Sequence, residues 1–228
     1  MQRNFLFAAA LASALAAGGG AVQAAPISGP QTLTVAGVTF SDFECTITGA
    51  GTALPGACGQ IAVGANAQGD GLLFSSGFTA TSGGNGFSFS DAVISFRARA
   101  AAGITGVALG FNGTFLGNAV SSVTETIRDA ATNTQVAFLE VFCDSFGCER
   151  NDPVAGYMTL DRAYTDLWIE KDINVSAFEG RSQMSIIRQG YTTAVPEPAS
   201  MALLGVGLLG LALGRGTPRS GVRRVAAS

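Results

Sequence analysis

An all-β fold, a β-sandwich of jelly-roll type, is what the sequence predicts for residues 25–194. Three observations point to it. Apolar residues recur with period 2 in short runs, the signature of half-buried strands. Turn residues separate these runs, and the 228-residue chain holds 31 glycines, about double the usual ~7% share. No amphipathic helical pattern of twelve or more residues stands between the two termini.

Leu33/Val35, Phe87/Phe89, Ile94/Phe96, Val107/Leu109/Phe111, Ala137/Leu139/Val141 and Leu167/Ile169 each place alternate apolar side chains on one strand face. Gly-rich breaks at Gly64 to Gly71 and at Thr81 to Gly86 supply connections. Asn112-Gly113 reads as a two-residue type I′ hairpin turn, whose central positions both need positive φ. Val123 to Ile127 and Val136 to Phe142, joined through 129–134, read as a second hairpin with a longer loop. With no internal repeat, no Pro-rich linker before Val195 and no long charge block, one domain is the simplest account, large enough to bury its own core.

Composition removes several kinds of function. The chain has one Lys and no His, which excludes Ser-His-Asp triads, Cys-His dyads and His-ligated metal centres. Residues 25–194 carry eight basic and fifteen acidic side chains, a net charge of −7. Nucleic acid demands clustered Lys and Arg, so it is set aside as a partner. Lys171 has Trp168 three residues before it, not the serine of a Ser-x-x-Lys dyad. No catalytic group, cofactor or metal site is expected, and the body reads as non-enzymatic.

Four cysteines, Cys45, Cys58, Cys143 and Cys148, form an even set in a chain with an export signal and read as disulfides. Three pairings exist. Cys45–Cys58 and Cys143–Cys148 are favoured because each pair brackets Gly or Pro turn residues, whereas neither has the CxxC spacing of a zinc site. Asp144, Glu149 and Asp152 crowd the second pair, but too few ligands are marked for a calcium loop, and a solvated acidic loop is expected. Trp168, Tyr157 and Tyr164, with Tyr191, are candidate sugar-stacking rings, set against the commoner role of strand aromatics in the core. A hydrolytic carboxylate pair is also possible in principle, with nothing to mark which two acids form it. Asn112-Gly113-Thr114 and Asn174-Val175-Ser176 match the N-glycosylation pattern, which alone carries little.

Both termini read as addresses. Residues 1–24 have the form of a secretory signal: Arg3, an apolar stretch from Phe5 to Ala17, then small residues ending Val22-Gln23-Ala24, with cleavage expected between Ala24 and Ala25. The apolar stretch of about 13 residues falls short of the ~20 that span a bilayer. The C-terminal end, residues 195–228, has three parts. Val195, Pro196, Glu197 and Pro198 come first; an apolar run over about 199–214 reads as a single transmembrane helix; a tail at 215–228 carries Arg215, Arg219, Arg223 and Arg224. At ~1.5 Å per residue the run makes roughly 24 Å of helix against ~30 Å of hydrocarbon, a marginal anchor. The arginines hold the tail in the cytoplasm and so place residues 25–195 outside the inner membrane. Pro196 and Pro198 delay the start of the helix and leave an extended stretch at the membrane surface.

This tripartite end resembles the PEP-CTERM sorting signal of diderm bacteria that make extracellular polysaccharide. The resemblance covers about the last 34 residues and rests on Pro196-Glu197-Pro198, the apolar segment from Ala199 and the arginines beyond. It implies recognition by an exosortase, an integral-membrane cysteine protease or transpeptidase, after export by the Sec machinery. The precursor would be anchored in the inner membrane and the processed domain passed to the cell surface or extracellular matrix. Val38-Thr39-Phe40-Ser41-Asp42-Phe43-Glu44-Cys45 and Trp168-Ile169-Glu170-Lys171-Asp172-Ile173 are similar to stretches of the small exported domains that precede such signals, which supports the sandwich without assigning an activity. The expected role is structural or adhesive, in association with exopolysaccharide. The alternatives are a carbohydrate-binding module and, less favoured, a secreted glycoside hydrolase.

Overall fold

The computed structural model describes residues 24–27, 31–149 and 156–194. Within them the chain is all-β, with one short 3-10 turn at Cys58–Gln60. The strands are β1 (Ala25–Pro26), β2 (Leu33–Val35), β3 (Val38–Ala50), β4 (Ala62–Ala65), β5 (Gly71–Asp129), β6 (Gln135–Asp144), β7 (Gly147–Glu149) and β8 (Gly156–Thr193). All join one antiparallel hydrogen-bonded network. Among the described residues no helix is long and apolar enough to cross a membrane. The expected signal peptide up to Gln23, the sorting residues Val195 to Pro198 and the apolar run at 199–214 lie outside the described residues.

Two long elements organise the fold. β5 is broken into segments by register shifts at Ser75/Phe78, Ser82/Phe87, Arg99/Ile104, Asn112/Gly113 and Gly117/Ala119. Its segments flank β8 on both sides. Residues 167–177 of β8 lie between 88–98 and 119–129, and residues 186–190 lie between 71–75 and 108–112. The outer neighbours complete each strip: β3 pairs with 89–99 and β6 with 121–128, while β4 pairs with 72–75 and 156–164 of β8 pairs with 104–109. Each register shift places one or more extra residues on one strand, bending it and raising its twist, so that the long strands curl around a core.

The core follows the alternation. Ala92, Ile94, Phe96 and Ala98 point inward with Leu167, Ile169, Ile173 and Val175 of β8, and all are fully buried. Phe40, Phe74 and Phe96 meet there, with ring centroids 6.2 Å apart for Phe40–Phe96 and 5.7 Å for Phe74–Phe96.

The hairpin from Val123–Ile127 to Val136–Phe142 forms, with Val123 opposite Val141 and Ile127 opposite Ala137. Its loop is closed by hydrogen bonds from Asn133 N to Asp129 O at 2.8 Å and from Asp129 N to Thr134 O at 2.9 Å. Asn112-Gly113 is no hairpin. Both residues lie inside β5 opposite Ile186 and Met184, where Ser185 is the extra residue of a bulge. The Asn112 carboxamide oxygen accepts from Ser185 N at 3.1 Å and Ile186 N at 2.7 Å, and its amide donates to Ser185 Oγ at 2.9 Å. The Asn side chain thus satisfies the bulge that the turn reading mistook for a reversal. The unforeseen two-residue turn is Ala36-Gly37, with φ of 50° and 79°, between paired Val35 and Val38.

Candidate functional site

The four aromatic candidates do not form one platform. Tyr191 is buried, its ring centroid 5.1 Å from that of Phe40. Tyr164 is 6% exposed and donates its hydroxyl to Asp161 at 2.7 Å, while the Arg162 guanidinium lies 4.6 Å from its ring centroid. Trp168 is half-buried on β8, directly between Arg97 and Arg128 of the neighbouring strands. Tyr157 differs from these, being 53% exposed.

Tyr157 borders an open cleft of about 280 Å³ between β6 and the start of β8, lined by Phe138, Leu139, Glu140, Phe142, Gly156 and Met158 as well. Alternation along β6 turns Ala137, Leu139 and Val141 to the core and Phe138 and Glu140 outward, with Phe138 46% exposed. Tyr157 is held at its polar tip. A Cβ on Gly106 would come 2.7 Å from the Tyr157 hydroxyl, so only glycine leaves room for it there. Hydrogen bonding with Thr159 and then Thr192 lowers the phenol pKa. A ring fixed at one end and open on its face, beside a second ring and a carboxylate, suits a hydroxyl-rich ring ligand. Phe138, Glu140 and Phe142 do not stand out in the sequence, because the period-2 pattern of β6 marks Ala137, Leu139 and Val141 on its inward side. Aromatics where that strand should be polar were the available signal.

A second cluster is wholly interior. Lys171 follows Ile169 and precedes Ile173 in the inward register of β8, and it is fully buried. Its Nζ pairs with Glu125 Oε2 and donates to Gln189 Oε1 at 2.6 Å, while Gln189 Nε2 donates to Glu125 Oε1 at 2.8 Å. Glu125 and Gln189 are equally buried. Burial lowers the Lys171 pKa, opposed by Glu125, and burial raises that of Glu125, opposed by Lys171 and Gln189. Both shifts favour the uncharged forms.

Cys45 and Cys58 are joined by a disulfide across a separation of 13 residues. Cys143 is also disulfide-bonded, and Cys148 is the residue opposite it in the β6–β7 register. Asp144 Oδ1 accepts from Phe146 N at 2.8 Å, a local turn contact. The Glu149 side chain and Asp152 lie outside the described residues. On the outer face of β8 the Asp172 pKa is pushed up to about 7, first by burial, then by its hydrogen bond and repulsion with Asp91, and then by Glu170.

At the C-terminal junction β8 ends at Thr193, and Ala194 donates its N–H to the Gly103 carbonyl at 2.8 Å. No curated protein matches the chain. Among solved structures it is similar to TmCBM61 in complex with beta-1,4-galactotriose, at 8% identity and a TM-score of 0.32, covering 65% of this chain and 88% of that one. The enzymatically active domain of bacteriophage CBA120 tailspike protein 4 is similar at 12% identity and a TM-score of 0.30, covering 66% of this chain and 19% of that one. A loop-swap mutant of Necallimastix patriciarum Xyn11A follows at 6% identity and a TM-score of 0.20, covering 75% and 100%. Residues 194–216 match the family model of the PEP-CTERM protein-sorting motif, so the chain carries a PEP-CTERM sorting motif that begins where its last strand ends.

Proposed function

We propose that this protein is the cargo of an exosortase: exported through the Sec route, held in the inner membrane by its C-terminal segment, then processed at Val195 to Pro198 for the cell surface or polysaccharide matrix of a diderm bacterium. The observation that carries the reading is the sorting motif over 194–216, directly after the final strand. The domain delivered is a β-sandwich of jelly-roll type, a reading supported by the way the segments of β5 flank both halves of β8. Its second disulfide joins Cys143 to Cys148, as their facing register favours. Its role is structural or adhesive and not enzymatic. Fractionation tests the sorting: with Pro196, Glu197 and Pro198 replaced by alanine, a longer form should accumulate in the inner membrane. Normal release of that variant would refute the proposal.

A carbohydrate-binding role is the second reading, and the Tyr157 cleft favours it. The ring face of Tyr157, Phe138 beside it and the Glu140 carboxylate supply stacking and hydrogen bonding of the kind a neutral sugar takes. Trp168 is not part of that cleft. Affinity electrophoresis of the protein in the host's own exopolysaccharide is the test, with retardation expected and unretarded migration counting against this role.

A further inference from the structure

Lys171, Glu125 and Gln189 close a ring of three hydrogen-bonded contacts inside an apolar core. A lone buried ion pair needs only two partners. Here the third is a primary carboxamide whose oxygen meets the amine and whose nitrogen meets the carboxylate. Phe74 stands against the group, its ring centroid 5.7 Å from Nζ. We propose that these three residues form an intramolecular amide bond between the Lys171 amine and the Gln189 side chain, with Glu125 as the proton-transfer group.

The chemistry needs no outside reagent. Nζ of Lys171 attacks Cδ of Gln189 and forms the new C–N bond. Glu125 starts as the neutral acid, gives its proton to Nε2 of Gln189 through Oε1, the atom that Nε2 already contacts, and takes the excess proton from Nζ through Oε2. The Cδ–Nε2 bond breaks and ammonia leaves; nothing is oxidised or reduced, and Glu125 ends as it began. The core favours the free amine over the ammonium by desolvation, which makes Nζ a nucleophile. It also keeps out the water that would hydrolyse the acyl centre instead. Tyr191, two residues beyond Gln189 on the same strand face, adds a buried hydroxyl with no hydrogen-bond partner among the described residues.

The product would be a covalent brace between two distant stretches of β8, one between 88–98 and 119–129 and the other between 71–75 and 108–112 of β5. It adds to the disulfides a cross-link that reduction cannot open.

Lys171 is the only lysine in the sequence, which makes the test direct. The full-length protein is unfolded, reduced, digested with trypsin and read by mass spectrometry. The expected result is one branched peptide that joins the segment containing Lys171 to the segment beginning at Gln189, lighter than their sum by one ammonia. Cleavage after Lys171 should be absent, and an amine-reactive label applied to the unfolded chain should leave Lys171 unmodified. In Glu125→Gln, which keeps size and hydrogen bonding but cannot relay the proton, Lys171 should return to full cleavage and labelling. Wild-type protein whose Lys171 is cleaved and labelled in full overturns the proposal, whether or not that variant folds. A branched peptide that persists in Glu125→Gln overturns the role given to Glu125.

Discussion

The backbone N–H of Ala194 donates to the carbonyl of Gly103 at 2.8 Å, one residue after the last strand ends at Thr193. Gly103 has φ of 83°, in the bend that carries β5 from its pairing at Arg99 to that at Ile104. A Cβ there would stand 2.7 Å from that of Ala163. The glycine therefore both turns the chain and keeps the bend close-packed. No linker separates this closure from the sorting motif at 194–216. Processing beyond Ala194 would leave every strand among the described residues intact.

The disulfide between Cys45 and Cys58 closes a short loop beside β3. For a separation of 13 residues the chain-entropy estimate gives about 3 kcal/mol of stabilisation. Cys45→Ser together with Cys58→Ser should lower the unfolding free energy extrapolated from urea denaturation by about that amount, and reducing agent should have no further effect through this pair.

Asn112 is a structural residue at a bulge, not a turn former. Asn112→Ala removes the acceptor for Ser185 N and Ile186 N and should cost about 1 kcal/mol, because the exposed site lets water replace part of what is lost. Chemical denaturation of the variant measures this. A loss near zero would mean that water satisfies the bulge equally well.

Asp172 should make stability fall as pH rises. Its folded pKa of about 7 lies above its unfolded value, so between about pH 4 and 7 the folded chain binds more protons than the unfolded one. The contribution is fully present below that window and lost through it. Asp172→Asn should therefore raise Tm at about pH 8 and leave it nearly unchanged at about pH 4. Scanning calorimetry across that range gives the difference directly.

Tyr157→Ala removes an exposed ring and should leave Tm within about 1 °C, as surface substitutions usually do. If the cleft binds the host polysaccharide, affinity should drop about tenfold, roughly 1.4 kcal/mol. Trp168→Ala, outside the cleft, should leave affinity unchanged.

Local rules in the sequence read strands well and reversals unevenly. Period-2 alternation located the inward faces around Ile94, Leu139 and Ile169, because burial on one sheet face dictates it. Asn-Gly favours a turn only when both residues take positive φ, and here each serves another purpose: Asn112 supplies hydrogen bonds to a bulge, and Gly113 lies where a Cβ would meet the Phe111 ring at 2.4 Å. Ala36-Gly37 escaped because alanine seldom adopts positive φ, and strand pairing on both sides holds it there. The interior position of Lys171 was legible from Ile169 and Ile173, yet its partners Glu125 and Gln189 come from other strand segments that only the register brings together. The Tyr157 cleft is half legible: the sequence marks the ring, whereas Phe138 and Phe142 join it only through the pairing that sets β6 beside the start of β8.

The most direct test of the sorting account is the mass of the C-terminal peptide, read for the wild type recovered from the surface of its own cells and for the variant with Pro196, Glu197 and Pro198 all changed to alanine recovered from the inner membrane. The account predicts a wild-type terminus within or beside Val195 to Pro198 and a variant that keeps its chain through Ser228. A wild-type protein that retains Ser228, or a variant shortened at the same place, would contradict it.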